Sequence, residues 1–324
     1  ISFYALPEDV SVQNIFSSVD GALSEGAAGI NIDGNWMGTL TEVSQHQGYW
    51  VLVSESTTIE ISDTDPVSYD ADGEVVYNIH YGSNLISYPF QSTQYLEDAL
   101  GEVTDNTYAL LTEGMATLNT GDGWVGTLNT FEGGKGYWLI SNGDFSFTFN
   151  GFEEGLSRIA QQTVVRSLPD RYSFLQSSKQ AFYFIESATI DRETLDFDDI
   201  IIAYNGNVVV GGRYWNGTHT DVPAMGLNEY SNSNGYCRSG DQVSFAVWQA
   251  SSESLIEMHS EGEITWQDMG ISVISLTGVV LPESFIIKQV YPNPFNPTTT
   301  INYSLPMDTE VSLSIYNMQG REVS

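Results

Sequence analysis

The chain has 324 residues, of which 41% are hydrophobic and 12% aromatic, so it can build packed cores and is not a disordered protein. Asp and Glu number 42 against 10 Lys and Arg, and the formal net charge of −32 repels phosphates and excludes nucleic-acid binding. A single cysteine, Cys237, excludes an intramolecular disulfide, and no sequence run reaches the roughly 18–20 apolar residues of a membrane-spanning helix.

A duplication occupies the N-terminal half of the chain. The string WMGTL at 36–40 recurs as WVGTL at 124–128, and GYW at 48–50 recurs at 136–138, so both motifs are 88 positions apart. An equal offset for two separate motifs indicates a tandem repeat. We therefore predict a first copy at 1–66 and a second copy at 67–156. The first copy starts abruptly at Ile1, which indicates a processed or incomplete edge.

Each copy is predicted to contain one short helix among short strands. Apolar residues spaced three and four positions apart, the period of one helix face, are Val12, Ile15, Phe16 and Val19 in the first copy and Tyr95, Leu96, Ala99, Leu100 and Val103 in the second. The two repeated motifs follow on strands, where glycine beside tryptophan indicates tight turns or close backbone approach.

The region 157–260 has a different sequence pattern from the two N-terminal copies. β-Branched and aromatic runs, bounded by Gly, Asn and Asp, are typical of the strands of a β-sandwich. Within it, the stretch 221–236 contains Pro223 and several Asn, and is predicted to be a long irregular loop. A linker is predicted at 261–283.

The last segment reads YPNPFNPTTTINYSLP at 291–306, followed by VSLSIYNMQGREV at 311–323. Its residues alternate as two strand faces, Ile301 to Leu305 and Val311 to Ile315, and a turn is expected at 317–320. This pattern resembles the C-terminal sorting domain of proteins exported by the type IX (Por) secretion system. The motif that carries the resemblance is Tyr291, Pro292, Asn293, Pro294, Phe295, Asn296 and Pro297.

The resemblance implies a small C-terminal β-sandwich at 284–324, shorter here than the family's usual domain, and the type IX secretion machinery as a partner. It also implies a location outside a bacterium, secreted or on the cell surface. Strings in 157–260 are similar to β modules of other proteins with this sorting domain. The predicted fold class is mainly β: two tandem β-rich copies with one short helix each, a β-sandwich-like module, and the sorting domain.

The sequence offers no catalytic or cofactor-binding residues. None of the four His lies in a metal-binding spacing, and no GxSxG motif supports a serine nucleophile. The repeated tryptophans have two interpretations: the core of a duplicated fold, or flat faces on which a sugar stacks. The ligand-stacking candidates are Trp36, Trp50, Trp124, Trp138 and Trp215.

Two acidic turns are candidate calcium sites, because calcium prefers hard oxygen ligands in flexible loops. The alternative is ordinary solvated turns, since the DADG string of the first turn lacks the remaining ligands of an EF-hand loop. Calcium is therefore the one cofactor considered. The candidates are Asp63, Asp65, Asp70 and Asp72 in the first turn, and Asp196, Asp198 and Asp199 in the second.

These observations predict a secreted or cell-surface, non-catalytic structural or adhesive protein, such as a subunit of an extracellular filament or layer. Its predicted partners are the secretion machinery and either copies of itself, paired through open strand edges, or surface glycans. The alternative is a non-catalytic, glycan-binding accessory region of a larger exported hydrolase.

Overall fold

The computed structural model describes residues 1–66, 75–151, 164–228, 233–280, 285–294, 296–306 and 309–323. Strands dominate these ranges, which confirms the predicted mainly β fold class. Within the same ranges, no helix has the length and apolarity that a membrane crossing requires.

The first copy is a four-stranded antiparallel sheet packed on one short helix. Its elements are β1 (Ala5–Leu6), α1 (Val12–Ile15), β2 (Gly21–Ser24), β3 (Ala27–Ile32), β4 (Asn35–Gly38), β5 (Trp50–Leu52) and β6 (Asp65–Pro66). The sheet order is β4-β3-β2-β5, and β1 pairs with β6. The Ser11 hydroxyl caps α1 by accepting the Asn14 N–H. The helix is shorter than its apolar stripe, which continues into a turn.

The second copy repeats this arrangement and adds one strand. Its elements are β7 (Tyr77–Ile79), β8 (Gly82–Ser87), β9 (Gln94–Tyr95), α2 (Leu96–Leu100), a 3-10 helix (Gly101–Asn106), β10 (Thr107–Thr112), β11 (Met115–Asn119), β12 (Trp124–Gly126), β13 (Thr130–Phe131), β14 (Gly136–Ser141) and β15 (Phe145–Phe147). The main sheet order is β12-β11-β10-β14-β8, while β9 pairs with β13 and β7 with β15. The four strands β12, β11, β10 and β14 correspond to β4, β3, β2 and β5.

The tyrosine of the GYW motif has the same role in both copies. Tyr49 is buried, and its hydroxyl accepts a hydrogen bond of 2.7 Å from the backbone N–H of Ser44. Tyr137 is buried too, and accepts one of 2.8 Å from the N–H of Glu132. Each ring therefore fills its core while its hydroxyl fixes the loop five residues earlier.

The glycine of the WxGTL motif is required by close backbone approach. Gly38 has φ +141°, and a Cβ there would lie 2.2 Å from the carbonyl oxygen of Ala28. Gly126 has φ +129°, and a Cβ there would lie 2.4 Å from the carbonyl oxygen of Ala116. No side chain fits at either position, so the motif marks where two neighbouring strands meet most closely.

The third module is one large sheet with a buried core. Its elements are a 3-10 turn (Asp170–Tyr172), β16 (Gln180–Ile190), β17 (Glu193–Thr194), β18 (Ile200–Asn205), β19 (Val208–Tyr214), β20 (Thr220–Met225), β21 (Val243–Gln249), β22 (Ser254–Ser260) and β23 (Ile271–Gly278). The order is β17-β16-β23-β22-β21-β18-β19, and β20 pairs with β16. The core includes Tyr183, Phe245 and Trp266.

Two predictions for this region are wrong. The segment 261–283 is more than a linker, because β23 lies inside the sheet, parallel to β16 and antiparallel to β22. Its β-branched run gains two hydrogen-bonded neighbours there. The predicted loop at 221–236 begins instead as β20, in which Pro223 is buried and lies opposite Phe182.

The tail forms one two-stranded sheet among its described residues, made by β24 (Ile286–Tyr291) and β25 (Thr300–Ser304). The turn at 317–320 forms, with the Gly320 N–H donating to the Asn317 carbonyl at 2.9 Å. The predicted strand from Val311 to Ile315 does not form. Only its end is paired in the described part of the tail: the Ile315 carbonyl accepts from the Val323 N–H at 2.8 Å, beside an isolated bridge between Tyr316 and Glu322.

Candidate functional site

The second-copy sheet packs its outer surface against the third module. Seven side chains on that surface form two cross-strand rows, one of Val125, Leu118, Ala109 and Ile140, the other of Ala116, Leu111 and Trp138. We call these seven residues the second-copy face. They form a single apolar cluster with Phe182 and Phe184 of β16 and with Ile271 of β23.

The same seven positions, 88 residues earlier, form the outer surface of the first-copy sheet. Strand pairing keeps the rows identical: Met37, Ile30, Gly21 and Leu52 in one, Ala28, Leu23 and Trp50 in the other. We call these residues the first-copy face. Ile32, two positions beyond Ile30 on β3, extends it.

The first-copy face is exposed where the second-copy face is covered. Met37 is 59% exposed and Ile30 is 39% exposed, whereas Leu118, the equivalent of Ile30, is 4% exposed. The first copy already has a complete inner core around Phe16 and Tyr49, so this outer face is not needed to fold the module. A contiguous exposed apolar patch is a docking feature in a folded protein.

Acidic residues surround the first-copy face. Residues 1–66 contain ten Asp and Glu and no Lys or Arg. Asp20 lies just before β2, Glu25 lies in the β2–β3 turn, and Asp33 lies in the β3–β4 turn. Glu25 contacts the ring Nε2 of His80 at 2.5 Å, which joins the two copies. The backbone carbonyl of Tyr81, and then Glu25, raise the pKa of His80.

A buried ion pair anchors the second copy on the third module. Asp221 of β20 is fully buried, and its Oδ2 accepts from the Ala116 N–H at 3.1 Å, the Thr127 hydroxyl at 2.6 Å and Arg213 at 3.1 Å. Arg213 also donates to the Gly114 carbonyl at 2.6 Å. Burial raises the pKa of the Asp221 carboxyl, and Arg213 opposes that rise.

The first copy has the polar partners of this anchor without the carboxylate. Thr39 and Ala28 are the equivalents of Thr127 and Ala116. In the first copy the Ala28 N–H donates directly to the Thr39 hydroxyl, at 3.2 Å in an exposed position. In the first copy, where the sheet face is exposed, the threonine hydroxyl accepts a backbone N–H of its own sheet. In the second copy, where the face is covered, the threonine hydroxyl donates to Asp221 instead.

A groove of about 680 Å³ runs between the two copies and the third module. The tryptophans that follow each GY pair, Trp50 and Trp138, both line it. Polar side chains line it too, among them Glu113, Gln176 and Asn228. Aromatic rings beside carboxylate and amide groups are the chemistry that binds neutral sugars.

The structure places the other predicted stacking residues in packed positions. Trp215 is buried in the core of the third module. Trp36 packs on Phe16, with ring centroids 6.1 Å apart, and Trp124 packs against the core of the second copy. Of the five tryptophans, only Trp50 and Trp138 border the groove.

The first acidic turn falls mostly outside the described residues. Asp63 is exposed with φ +55°, and Asp65 lies in β6. Asp70 and Asp72 lie outside the described residues, so their part of the predicted calcium site stays a prediction.

The second acidic turn is held by its own hydrogen bonds. Asp199 is buried; its Oδ2 accepts from the Asp196 N–H and its Oδ1 from the Ala250 N–H, at 2.9 and 2.8 Å. Asp198 is exposed and pairs with Arg166 at 3.2 Å. Across the ranges that the structure describes, no three His, Cys, Asp or Glu side chains are grouped as metal ligands.

Sequence reasoning missed the first-copy face and the Arg213–Asp221 pair. The face could have been found by extending the 88-residue alignment beyond the motifs, since Ile30 and Leu118 are apolar at equivalent positions. The ion pair has no local sequence pattern, because Arg213 of β19 and Asp221 of β20 meet only when these two strands of the third module pack together.

The sorting motif lies on the tail hairpin and the turn that joins its strands. Tyr291 ends β24 and is exposed, and the Thr299 hydroxyl donates to the Pro292 carbonyl at 2.8 Å. Phe295 lies outside the described residues. Ile287, Tyr291 and Tyr303 all point into solvent, so this hairpin presents its apolar side chains to its surroundings.

A chain of β modules that ends in such a tail belongs to the class of secreted or cell-surface proteins. The comparison with protein families bears this out: residues 289–324 match the secretion system C-terminal sorting domain. The chain therefore carries a type IX secretion sorting domain, as the sequence predicted, and interacts with that machinery. Neither the curated proteins nor the solved structures contain a match to this chain.

Proposed function

We propose that this protein is a non-catalytic structural or adhesive component outside the cell, and that it works by docking through the first-copy face. The observation that supports this is the equivalence of the two faces. In the first copy the equivalent rows are not packed on the third module: Met37 and Ile30 are exposed, and Ile30, Trp50 and Leu52 border the groove. A sheet face that packs on another module in one copy, and is not packed on it in the other copy, is suited to binding a partner.

Covering the exposed side chains of this face contributes a modest apolar energy to a contact. Burying a large aliphatic side chain completely stabilises a complex by about 1.5–3 kcal/mol. Met37, Ile30 and Ile32 are 59%, 39% and 49% exposed, so covering what remains of them contributes roughly 2–4 kcal/mol. Leu23, Trp50 and Leu52 are partly exposed and add to this.

Two further features support a structural role. Among the described tail residues, β24 and β25 pair only with each other, so each leaves an open edge that another strand can extend. The Cys237 thiol is buried, and burial raises its pKa to about 12, which makes it a poor nucleophile. Self-pairing through strand edges, as in a filament, is part of this proposal.

The experiment compares the wild-type protein with Met37→Glu in the producing cells. Leu255→Glu is the matched control, because Leu255 is 50% exposed on β22 of the third module, away from both faces. We expect Met37→Glu to be secreted normally but to lose its place in the surface-bound, high-molecular-weight fraction. Equal fractionation of all three proteins contradicts the docking function.

The groove supports a second candidate function, glycan binding by an accessory region of a larger exported hydrolase. Trp50 and Trp138 line it together with Glu113 and Gln176. Titration with cellohexaose, followed by tryptophan fluorescence, tests this function. Trp50→Ala is expected to abolish binding, whereas Tyr81→Ala, an exposed aromatic outside the groove, is expected to keep it. No fluorescence change in the wild type counts against the candidate for this class of glucan.

A further inference from the structure

We infer that the groove continues into a second cavity, and that the two spaces together bind a glycan built of N-acetylated amino sugars. This inference rests on the second candidate function, glycan binding, and names the class of sugar. Docking through the first-copy face does not depend on it.

The second cavity has a volume of about 580 Å³ and lies between the second copy and the third module. Glu113 and Gln176 line this cavity and the groove alike, so the two spaces adjoin at these side chains. Each space is within the range of about 300–1,000 Å³ that is typical of small-molecule sites. A ligand of several linked units can therefore occupy both.

The β10–β11 turn, which contains Glu113 and Gly114, is held in place where the two spaces adjoin. The Gly114 N–H donates to Gln180 Oε1 at 3.5 Å, and the Gly114 carbonyl accepts from Arg213 at 2.6 Å. The Gln176 amide lies against the turn, since a Cβ at Gly114 would be 2.7 Å from Gln176 Nε2. These contacts fix the turn before a ligand arrives, which lowers the cost of binding.

The polar side chains at this junction keep free hydrogen-bonding groups. Arg213 is 6% exposed; its Nε and Nη2 donate to Asp221 and Gly114, while its Nη1 donates to no described residue. The Gln176 amide and the Glu113 carboxylate likewise form no hydrogen bond with a described residue. The junction therefore offers N–H donors, from a buried guanidinium and an amide, beside a carboxylate acceptor.

The charges in both spaces disfavour an anionic ligand. Each Lys or Arg side chain among the described lining residues is paired with a carboxylate: Lys135 with Glu132 at 2.9 Å, Arg166 with Asp198 at 3.2 Å, and Arg213 with Asp221 at 3.1 Å. The carboxylates of Glu113 and Asp20 also line the groove, so the balance there is negative. The ligand that fits is neutral, with a carbonyl oxygen for the free N–H donors and an N–H for the free carboxylate.

An acetamido group meets these requirements. Its carbonyl accepts from Arg213 Nη1 and the Gln176 amide, and its N–H donates to Glu113. Its methyl group lies against an apolar wall of the second cavity, whose side chains are fixed by packing on the neighbouring cores. The wall consists of Met115, Leu168 and Phe174.

The two tryptophans of the groove favour a sugar over a peptide, which also carries amide groups. Trp50 and Trp138 are both partly exposed and line the groove. Their flat rings suit the apolar face of a sugar ring. A plain glucan can stack on the same rings but has a hydroxyl in place of each acetamido group. It leaves Arg213 Nη1 and the apolar wall without a partner.

Isothermal titration calorimetry of the full chain with hexa-N-acetylchitohexaose and cellohexaose tests the inference, because the two sugars share one linkage and differ in the acetamido group. We expect the wild type to bind the N-acetylated sugar at least about tenfold more tightly. Gln176→Ala removes the amide, and Arg213→Lys keeps the charge beside Asp221 but removes the Nη1 donors. Both variants are expected to lose the preference.

Gln13→Ala is the matched control, because Gln13 is exposed on α1 and lines neither space. It is expected to keep the full preference for the N-acetylated sugar. Thermal unfolding verifies that each variant is folded. If Arg213→Lys is unfolded, Gln176→Ala decides the result.

Equal affinity for the two sugars, or tighter binding of cellohexaose, overturns the inference and leaves glycan binding in place. Binding of neither sugar counts against both the inference and the second candidate function. A preference that is unchanged in Gln176→Ala and in Arg213→Lys excludes the second cavity as the acetamido site. Binding of acetyl-trialanine amide as tightly as the N-acetylated sugar overturns the inference in favour of a peptide ligand.

Discussion

Replacing Asp221 with alanine is expected to release the second copy from the third module. The change leaves the Arg213 guanidinium buried without its counter-charge, and takes the acceptor away from the Ala116 N–H and the Thr127 hydroxyl. Breaking a buried ion pair from one side costs about 3–5 kcal/mol. Leaving the Ala116 N–H and the Thr127 hydroxyl without an acceptor costs about 1–3 kcal/mol each, or roughly 2–6 kcal/mol together. This second figure overlaps the cost of breaking the ion pair.

Hydrogen–deuterium exchange is the appropriate assay, because a chain of several modules need not unfold in one transition. A loss of 3–5 kcal/mol predicts exchange faster by roughly two to four orders of magnitude in peptides that cover β11 and β16. The double variant Arg213→Met with Asp221→Ala is expected to recover part of the protection, since it removes the unpaired charge but leaves the Ala116 N–H and the Thr127 hydroxyl without an acceptor. Acceleration below tenfold in the single variant, or no recovery in the double variant, refutes the reasoning.

Three further predictions concern single positions. Gly126→Ala is expected to lower the free energy of unfolding by more than about 2–3 kcal/mol, because its Cβ would collide with the Ala116 carbonyl. The control Gly121→Ala, with φ +85° and open space around the added Cβ, is expected to lower it by about 1 kcal/mol. Cys237 is expected to react with iodoacetamide at pH 8 on the order of 1000-fold more slowly in the native than in the urea-unfolded protein; equal rates contradict its burial. NMR titration is expected to place the pKa of His80 above 6.5, and Glu25→Gln to lower it. The stability that this raised pKa contributes is fully present below about pH 6.5 and is lost as pH rises through the folded-state pKa; an unchanged pKa in Glu25→Gln excludes the contact.

The predictable parts of the fold are those determined by residues that lie close together in the sequence. The two GYW tryptophans and the WxGTL glycines have fixed spacing because each fills a defined place in a small sheet, so their recurrence reveals the duplication. The sorting tail was recognisable from an ordered run of Pro and Asn, and its family match confirms it. The apolar stripe at Val12 predicted a helix, although only one turn of it forms.

The parts that were not predictable depend on contacts distant in sequence. Pro223 reads as a loop residue because proline lacks the ladder N–H, yet it lies buried in β20 opposite Phe182. The run at 271–278 carried the right composition for a strand, but its place between β16 and β22 is set by pairing with residues up to ~90 positions away. The 88-residue offset could have located the face in both copies, but only the packing of the third module shows which copy of the face is covered.

The hydroxyl of the motif threonine changes partner between the copies, from a backbone amide at Thr39 to a buried carboxylate at Thr127. The same motif hydroxyl is thus satisfied both where its sheet face is exposed and where that face is covered. The threonine can therefore be kept in the motif whether or not a carboxylate packs against it, because a backbone amide of its own sheet is an alternative partner.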